Sequence, residues 1–257
     1  MTRTIKRVGI KTQLFKPKPK QKLIFELIKN NEANGYYRKG NFSTEIIWDG
    51  KSYMFPSKGK YRSYTKGLFL FGMVRKDAKN FLKSGRKLRV PKKFPTNEYN
   101  DKFTDFDAKI TGTDLNHAYW RIAYNLGIIS NRTYISGLDD EFKTVRLSAL
   151  STLGKGKDYH VIKNGVFTNE VVKIGFNEDM DKLYRAIRQT CFKYMNQIMK
   201  ILGNEFVAYK TDCVYYVDSK ENRKIVRDFF NEKEMNYKQL PSIKKGSTRV
   251  EPLNENQ

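Results

Sequence analysis

Two aspartates occupy positions from which a carboxylate can bind a metal ion. Asp114 lies in the segment TGTDLNHAYW, between a predicted strand and a predicted helix, and Asp212 lies in AYKTDCVYY, at the predicted tip of a hairpin. Because adjacent strands lie about 4.8 Å apart, carboxylates at neighbouring strand ends can share one or two Mg²⁺ ions. Two-metal phosphoryl transfer uses such a pair: one ion activates a 3′-oxygen, and the other holds a triphosphate. An aspartate at either position is also typical of a helix cap or a turn.

The composition indicates a polyanionic partner. The 257 residues include 50 lysines and arginines against 27 acidic residues, a formal charge of +23, and 14% of the chain is aromatic. A charge of this size favours nucleic acid as the partner, and the aromatic content is sufficient both for a core and for base stacking.

The cysteines and the apolar segments exclude other classes. Cys191 and Cys213 cannot build a disulfide framework, and with only His117 and His160 beside them the sequence has no zinc pattern. We therefore expect a reducing, cytoplasmic setting. No apolar run approaches the ~18 residues that span a bilayer, and the amino terminus lacks an apolar leader, so we expect no membrane partner.

The first hundred residues predict a basic arm and a small α+β region. Residues 1–24 are rich in lysine and contain Pro17 and Pro19, a pattern of an extended arm. Asp49 and Gly50 predict a hairpin turn. The further predicted segments are a helix at 23–30, hairpin strands at 44–48 and 51–55, a buried strand at 67–74, a second helix at 75–83 and a basic connector with a domain boundary at 86–104.

Residues 105–245 predict a second domain, followed by a polar tail at 246–257. Asn164 and Gly165 mark the clearest hairpin, between strands 159–163 and 166–176. The order of elements predicts an antiparallel sheet with helices on one face, the α+β arrangement of ferredoxin-like domains. The remaining predicted strands are 106–115, 206–209 and 214–217, and the predicted helices are 118–126, 139–153, 179–202 and 221–231.

Three short motifs in this region resemble those of family B DNA polymerases. DLNHAYW resembles motif A, Asp-x-x-Ser-Leu-Tyr-Pro, with Asp114 in the metal-ligand place and Tyr119 in that of the tyrosine that screens out ribonucleotides. RLSALSTLG resembles motif B, with Arg146 for its lysine and Ser151 matching, although leucines replace its Asn and Tyr. AYKTDC resembles motif C, Tyr-Gly-Asp-Thr-Asp-Ser, with Asp212 matching the second aspartate and Lys210 replacing the first.

The resemblance implies a polymerase palm-like domain in which residues 128–176 form a reduced fingers insertion and no proofreading exonuclease is present. It implies a template-directed DNA polymerase that uses two Mg²⁺ ions, primer-template DNA and dNTPs, with accessory replication subunits as further partners. The short chain suggests a virus or mobile element and hence the host cytoplasm. Helix spacing adds Lys143 beside Arg146, and Arg185 with Arg188, as phosphate contacts. The expected metal ligands are Asp114, Leu115 and Asp212; the nucleotide contacts are Tyr119, Lys143, Arg146 and Ser151; the nucleic-acid contacts are Arg185, Arg188, Lys244 and Lys245.

Two other functions are compatible with the sequence. A primase-polymerase of the archaeo-eukaryotic type would use Asp105 and Asp107, whose alternation on a strand directs both carboxylates to one face, together with His160 and Asp212. A single-stranded nucleic-acid-binding protein without catalysis would need only charge and stacking, and Lys210 at the motif C position favours it.

Overall fold

The computed structural model describes residues 4–5, 11–14, 20–40, 43–56, 61–104, 107–139, 142–154 and 156–244. The strands are β1 (Thr4–Ile5), β2 (Lys11–Leu14), β3 (Gly35–Lys39), β4 (Ser43–Trp48), β5 (Lys51–Pro56), β6 (Asn97–Tyr99), β7 (Lys109–Leu115), β8 (Lys157–Lys163), β9 (Val166–Ile174), β10 (Phe206–Lys210), β11 (Cys213–Val217), β12 (Tyr237–Gln239) and β13 (Ile243–Lys244). The helices are α1 (Lys20–Asn30), α2 (Tyr61–Lys83), α3 (Ala118–Asn125), α4 (Asn131–Ser136), α5 (Lys143–Ser151), α6 (Glu178–Leu202) and α7 (Lys220–Glu232). The predicted α+β class is confirmed.

The chain divides into two compact units. The first comprises Met1–Leu82 and Ile135–Tyr184, and the second comprises Lys83–Tyr134 and Arg185–Gln257. Their first boundary lies just before the predicted one at 86–104. We expected residues 128–176 as an insertion in the second domain, but residues 135–176 of that segment belong, together with 177–184, to the first unit. The physical reason is strand pairing, because β8 forms an antiparallel ladder with β3 of the N-terminal region.

A seven-stranded sheet forms the first unit, in the order β1-β9-β8-β3-β4-β5-β2. Only its two edge pairs, β1 with β9 and β2 with β5, are parallel among the described strands. These edge strands lie within the predicted basic arm, so part of that arm joins the sheet. The rest of the arm, apart from the start of α1 at Lys20, and the tail at 246–257 lie outside the described residues.

Both predicted hairpin turns are confirmed in this sheet. Asp49 and Gly50 have φ values of 49° and 66°, and Asn164 and Gly165 have φ values of 50° and 76°. Positive φ at both central residues is the geometry of a type I′ turn, which suits asparagine, aspartate and glycine. Local sequence therefore determines these two connections.

The predicted strand at 67–74 is wrong, because the segment is part of the 23-residue helix α2. Leu70, Val74 and Ala78 are fully buried, and their spacing of four residues follows one face of a helix. Gly67 lies inside this helix, at a position where a Cβ atom would come 2.9 Å from Cγ1 of Val145. The glycine thus serves close packing rather than chain termination.

The second unit contains an antiparallel sheet in the order β12-β7-β11-β10-β6, with β13 also paired to β7. Along the chain, strand β7 is followed by a helical segment, strands β10 and β11, helix α7 and strand β12. When only these four strands are counted in chain order, the sheet places the fourth, the first, the third and the second side by side. This is the ferredoxin-like βαββαβ arrangement that we predicted, with β6 added at one edge. Tyr194 of α6 contacts Phe229 of α7, and Phe230 of α7 contacts Tyr237 of β12.

Several elements differ from the predicted ones at their ends. The helix predicted at 139–153 is shorter, since α5 spans only Lys143–Ser151. The strands β3, β6 and β12 and the helix α4 were not predicted, because each is short and is stabilised by pairing or packing with distant segments. Within the described residues, none of the helices is both long and apolar enough to span a bilayer.

Candidate active site

The second unit brings Asp114 and Asp212 to the same end of its sheet. Asp114 is the next-to-last residue of β7, and Cys213, the first residue of β11, is its partner across the antiparallel ladder. Asp212 immediately precedes Cys213, and its carbonyl oxygen accepts a hydrogen bond of 3.0 Å from the N–H of Leu115. The backbones of the two aspartates are therefore diagonal neighbours, with Asp114 near the end of β7 and Asp212 in the turn that leads into β11.

The charges of both carboxylates affect the pKa of the Cys213 thiol. Burial raises the pKa of Cys213 to about 12, and the negative charges of Asp114 and Asp212 add to this effect against a hydrogen bond from Tyr215. Burial likewise raises the pKa of Tyr215, and the same two charges contribute. Cys213 and Tyr215 thus remain neutral near pH 7, and of these four residues only the two aspartates contribute negative charge.

A lysine that sequence reasoning missed lies beside Asp114. Lys238 on β12 is the ladder partner of Asp114, and its Nζ is 3.2 Å from Oδ2 of the aspartate. The side chain of Asp114 is 29% exposed, so this ion pair is open to solvent. No sequence motif marks Lys238, because only the register of β12 against β7 brings it to this position. Lys210, which replaces the first aspartate of motif C, is exposed at the end of β10.

The turn that carries Asp212 is held from two sides. Thr211 has a φ of 57°, an uncommon conformation for a β-branched residue. Its N–H donates a hydrogen bond of 2.8 Å to the carbonyl of Thr96, and its own carbonyl accepts the thiol of Cys191 at 3.8 Å. The backbone strain at Thr211 is therefore offset by contacts to two other segments, which hold Asp212 at the end of the sheet.

Tyr119 occupies the first turn of α3, five residues after Asp114. Its ring is half-buried and meets the ring of Phe192 edge to face, with centroids 6.4 Å apart. The preceding His117 has a φ of 54°, which turns the chain from the end of β7 into the helix. Tyr119 consequently lies in the same unit as the two aspartates, and its role toward a sugar stays a prediction.

The residues of the motif B segment lie in the first unit. Arg146 is only 2% exposed, and its guanidinium donates hydrogen bonds to the carbonyls of Gly137 and Asp139. Lys143 is exposed, whereas Ser151 donates a hydrogen bond to the carbonyl of Ser148. Lys143 and Arg146, which we expected on one helix face, differ in their surroundings, because the arginine faces inward and binds the carbonyls of the loop before α5. Contact of Arg146 with a triphosphate would require its hydrogen bonds to the carbonyls of Gly137 and Asp139 to be broken.

The predicted nucleic-acid contacts have different surroundings. Arg185 is exposed on α6, while the guanidinium carbon of Arg188 lies 5.6 Å from the centre of the Phe192 ring. Lys244 is paired through its backbone with Lys109, which makes it part of β13. Lys245 lies outside the described residues.

The alternative primase set is divided between the units. Asp107 is exposed and belongs to the second unit with Asp212, whereas Asp105 lies outside the described residues. His160 is on β8 of the first unit, where its ring lies 6.5 Å from that of Tyr37. The described residues therefore give a local explanation for His160 as part of an aromatic cluster on the sheet.

The chemistry of the donor set fits Mg²⁺. Carboxylate oxygens are hard ligands, and magnesium is commonly bound by one or two carboxylates together with waters and substrate phosphates rather than by an all-protein cage. In the part of the chain that the structure describes, no group of three or more His, Cys, Asp or Glu residues is placed to hold a metal. That Asp114 and Asp212 hold Mg²⁺, with its remaining ligands supplied by water and substrate, stays a prediction. The role of Leu115 as a further ligand stays a prediction, and its N–H is already bonded to Asp212.

Comparisons with protein-family models, with curated proteins and with solved structures gave no match for this chain.

Proposed function

We propose that this protein is a template-directed DNA polymerase that adds deoxynucleotides by two-metal phosphoryl transfer without proofreading. The observation that supports this most is the meeting of Asp114 and Asp212 at one end of an antiparallel sheet. The βαββαβ order of the sheet supports a palm-like role for the second unit, because it gives the first strand and the central hairpin adjoining ends. The charge of +23 supports a nucleic-acid substrate.

The roles follow from the positions of the residues. Asp114 and Asp212 would hold Mg²⁺, which when bound lowers the pKa of an attacking hydroxyl and neutralises charge on the leaving phosphates. Tyr119 would lie against the sugar of the incoming nucleotide. Lys238 is available to exchange Asp114 for a phosphate oxygen as substrate arrives, since its ion pair is exposed to solvent.

The test is extension of a labelled primer on a DNA template with Mg²⁺ and dNTPs. Asp114→Asn and Asp212→Asn should each lower incorporation on the order of 100-fold or more, because a neutral amide binds Mg²⁺ weakly. DNA affinity should be unchanged or higher in both variants, since each removes a negative charge. Asp228→Asn, which alters an exposed carboxylate on α7, is the matched control and should extend primers like the parent. Extension by the aspartate variants at the parent rate would overturn the proposal.

A nucleic-acid-binding protein without catalysis is the second candidate. The ion pair between Lys238 and Asp114 and the lysine at position 210 favour it, because both add positive charge where a metal site needs negative charge. The same assay separates the two candidates. Tight DNA binding by a parent chain that incorporates no nucleotide with Mg²⁺ or Mn²⁺ would establish the binding function in place of the polymerase.

A further inference from the structure

We propose that four cations between residues 87 and 93 form a binding strip for the phosphodiester backbone of nucleic acid, and that this strip leads to the turn carrying Asp212. The members of this basic strip are Lys87, Arg89, Lys92 and Lys93. The inference deepens the proposed function and rests on it, because it assigns the strip to the strand on which the two carboxylates would act.

The charge of the basic strip is uncompensated. All four side chains are exposed, and no ion pair joins any of them to another described residue. The sequence contains no aspartate or glutamate between Asp77 and Glu98, so the segment carries only positive charge. Exposed lysines and arginines without acidic neighbours are the usual electrostatic footprint of nucleic-acid binding. We do not count Arg86 in the strip, because its guanidinium packs against Gly127. Its Nη1 lies 2.9 Å from the position that a Cβ atom on Gly127 would occupy.

The segment that carries the basic strip lacks regular secondary structure but is held in place. It has no helix or strand before β6, and its residues Leu88, Val90, Pro91 and Phe94 are half-buried while the four cations are exposed. The ammonium of Lys92 lies 5.3 Å from the centre of the Phe94 ring, a contact that leaves its charge unpaired by any carboxylate of the described residues. The N–H of Phe94 donates a hydrogen bond of 2.8 Å to Oε1 of Gln189. Pro91 and Pro95 restrict φ and so reduce the freedom of the backbone around Lys92 and Lys93. A fixed row of cations loses less entropy on binding than a flexible tail does.

The end of the segment is bonded directly to the candidate site. The hydroxyl of Tyr209 donates to the carbonyl of Pro95 at 3.2 Å, and the N–H of Thr211 donates to the carbonyl of Thr96 at 2.8 Å. Thr211 is the residue before Asp212. An extended chain covers at most about 3.5 Å per residue, so the Cα of Lys93 lies within about 11 Å of that of Thr96.

The length of the basic strip matches several nucleotides. Lys87 and Lys93 are at most about 21 Å apart, so the strip can meet at most about six phosphates of one strand at 3.4 Å each. A strand that follows the strip toward Thr96 would reach the turn that carries Asp212. This arrangement gives the carboxylates a held substrate without help from base contacts, so the binding should be independent of sequence.

The experiment compares Lys92→Gln/Lys93→Gln with the parent in fluorescence anisotropy titrations between 50 and 200 mM salt. Titrations without Mg²⁺ and nucleotide use a labelled single strand in one arm and a labelled primed duplex in the other. The double variant should reduce the slope of log affinity against log salt by about two, because two phosphate contacts are lost. The arm with the larger loss identifies the form of DNA that follows the basic strip.

Two control variants make this test specific. Lys220→Gln/Lys224→Gln removes two exposed cations from α7 and should leave the slope at the parent value, as should Lys92→Arg/Lys93→Arg. The proposal would be overturned by an unchanged slope for Lys92→Gln/Lys93→Gln in both arms. An equal reduction of the slope in the α7 control would also overturn it. Failure of the polymerase proposal is a separate result. Even if the protein extends no primers, Lys92→Gln/Lys93→Gln can still reduce the slope of log affinity against log salt.

Discussion

Cys213 lies directly opposite Asp114 in the ladder between β11 and β7. This pairing puts Asp212, the residue before Cys213, at the same end of the sheet as Asp114, and the hydrogen bond from Leu115 to Asp212 closes the ladder. Two aspartates from distant parts of the sequence are thereby held at the same end of one sheet. Lys238 on β12 balances one of the two charges.

Replacing Lys238 should increase the affinity for Mg²⁺. In Lys238→Gln the metal no longer competes with an ammonium group for Oδ2 of Asp114, and an exposed ion pair is worth about 0.2–1 kcal/mol. We therefore expect the dissociation constant for Mg²⁺, measured by isothermal titration calorimetry, to fall by a factor of about 1.4 to 5. Lys238→Arg, which keeps the ion pair, is the control. Weaker binding in Lys238→Gln than in the parent would show that the lysine supports the metal site instead of competing with it.

The carboxylate of Glu45 should be important for the stability of the first unit. It is fully buried and accepts hydrogen bonds from the hydroxyl of Ser52, from Lys157 at 2.8 Å and from Tyr159 at 2.6 Å. Glu45→Gln weakens all three contacts and leaves Lys157 without its counter-charge, so we expect a loss of about 2–3 kcal/mol in the free energy of unfolding.

Urea denaturation followed by fluorescence measures this loss, since Trp48 is in the same strand as Glu45. The matched control is Glu170→Gln, which breaks the exposed ion pair with Lys163 and should cost less than about 0.5 kcal/mol. Equal effects of the two substitutions would contradict a special role of the buried carboxylate.

Close packing between Gly67 and Val145 should make the first unit sensitive to a single methyl group. In Gly67→Ala the new Cβ would lie 2.9 Å from Cγ1 and 3.1 Å from Cγ2 of Val145. We expect a destabilisation of about 1–2 kcal/mol in urea unfolding, although alanine is the better helix former. Gly72→Ala in the same helix meets no atom within 4 Å and should stabilise the protein by up to about 1 kcal/mol. If the overlap is the cause, Gly67→Ala/Val145→Ala should recover most of the loss.

Asp218 should contribute stability that depends on pH. Hydrogen bonds from Arg223, at 2.5 and 2.8 Å, are the main cause of a lowered pKa of Asp218, and the hydroxyl of Ser242 adds to it against the effect of burial. The native state therefore favours the ionised carboxylate. The contribution is fully present above the unfolded pKa of about 3.9 and is lost as the pH falls through the lower native value.

Asp218→Asn should lower the free energy of unfolding by about 1 kcal/mol at pH 7, and the difference from the parent should shrink below about pH 4. Thermal unfolding between pH 3 and 7 measures this difference. Asp228→Asn removes an exposed partner of Arg227 and should be close to neutral over the whole range. A difference between Asp218→Asn and the parent that grows toward low pH would contradict the assigned sign.

Local sequence was sufficient for the hairpins and for the placement of both aspartates at strand ends. Asn164 with Gly165 and Asp49 with Gly50 adopt the positive φ values that their types favour, and the long helix α6 follows its apolar period. These features depend on neighbouring residues in the chain, which is why composition and periodicity were informative. The segment 67–74 shows the limit, because an apolar run around Gly67 is compatible with a strand or a buried helix until its packing partner Val145 is known.

Tertiary structure decided everything that depends on long-range register. Local patterns place Asp114 and Asp212 at the ends of elements, but the pairing of β11 with β7 brings them to one end of a sheet, and the pairing of β12 with β7 adds Lys238. The inward orientation of Arg146 and the membership of residues 135–184 in the first unit are likewise products of packing. The physical reason is that contacts between distant segments follow from burial and hydrogen bonding summed over whole sheets, which no local pattern records.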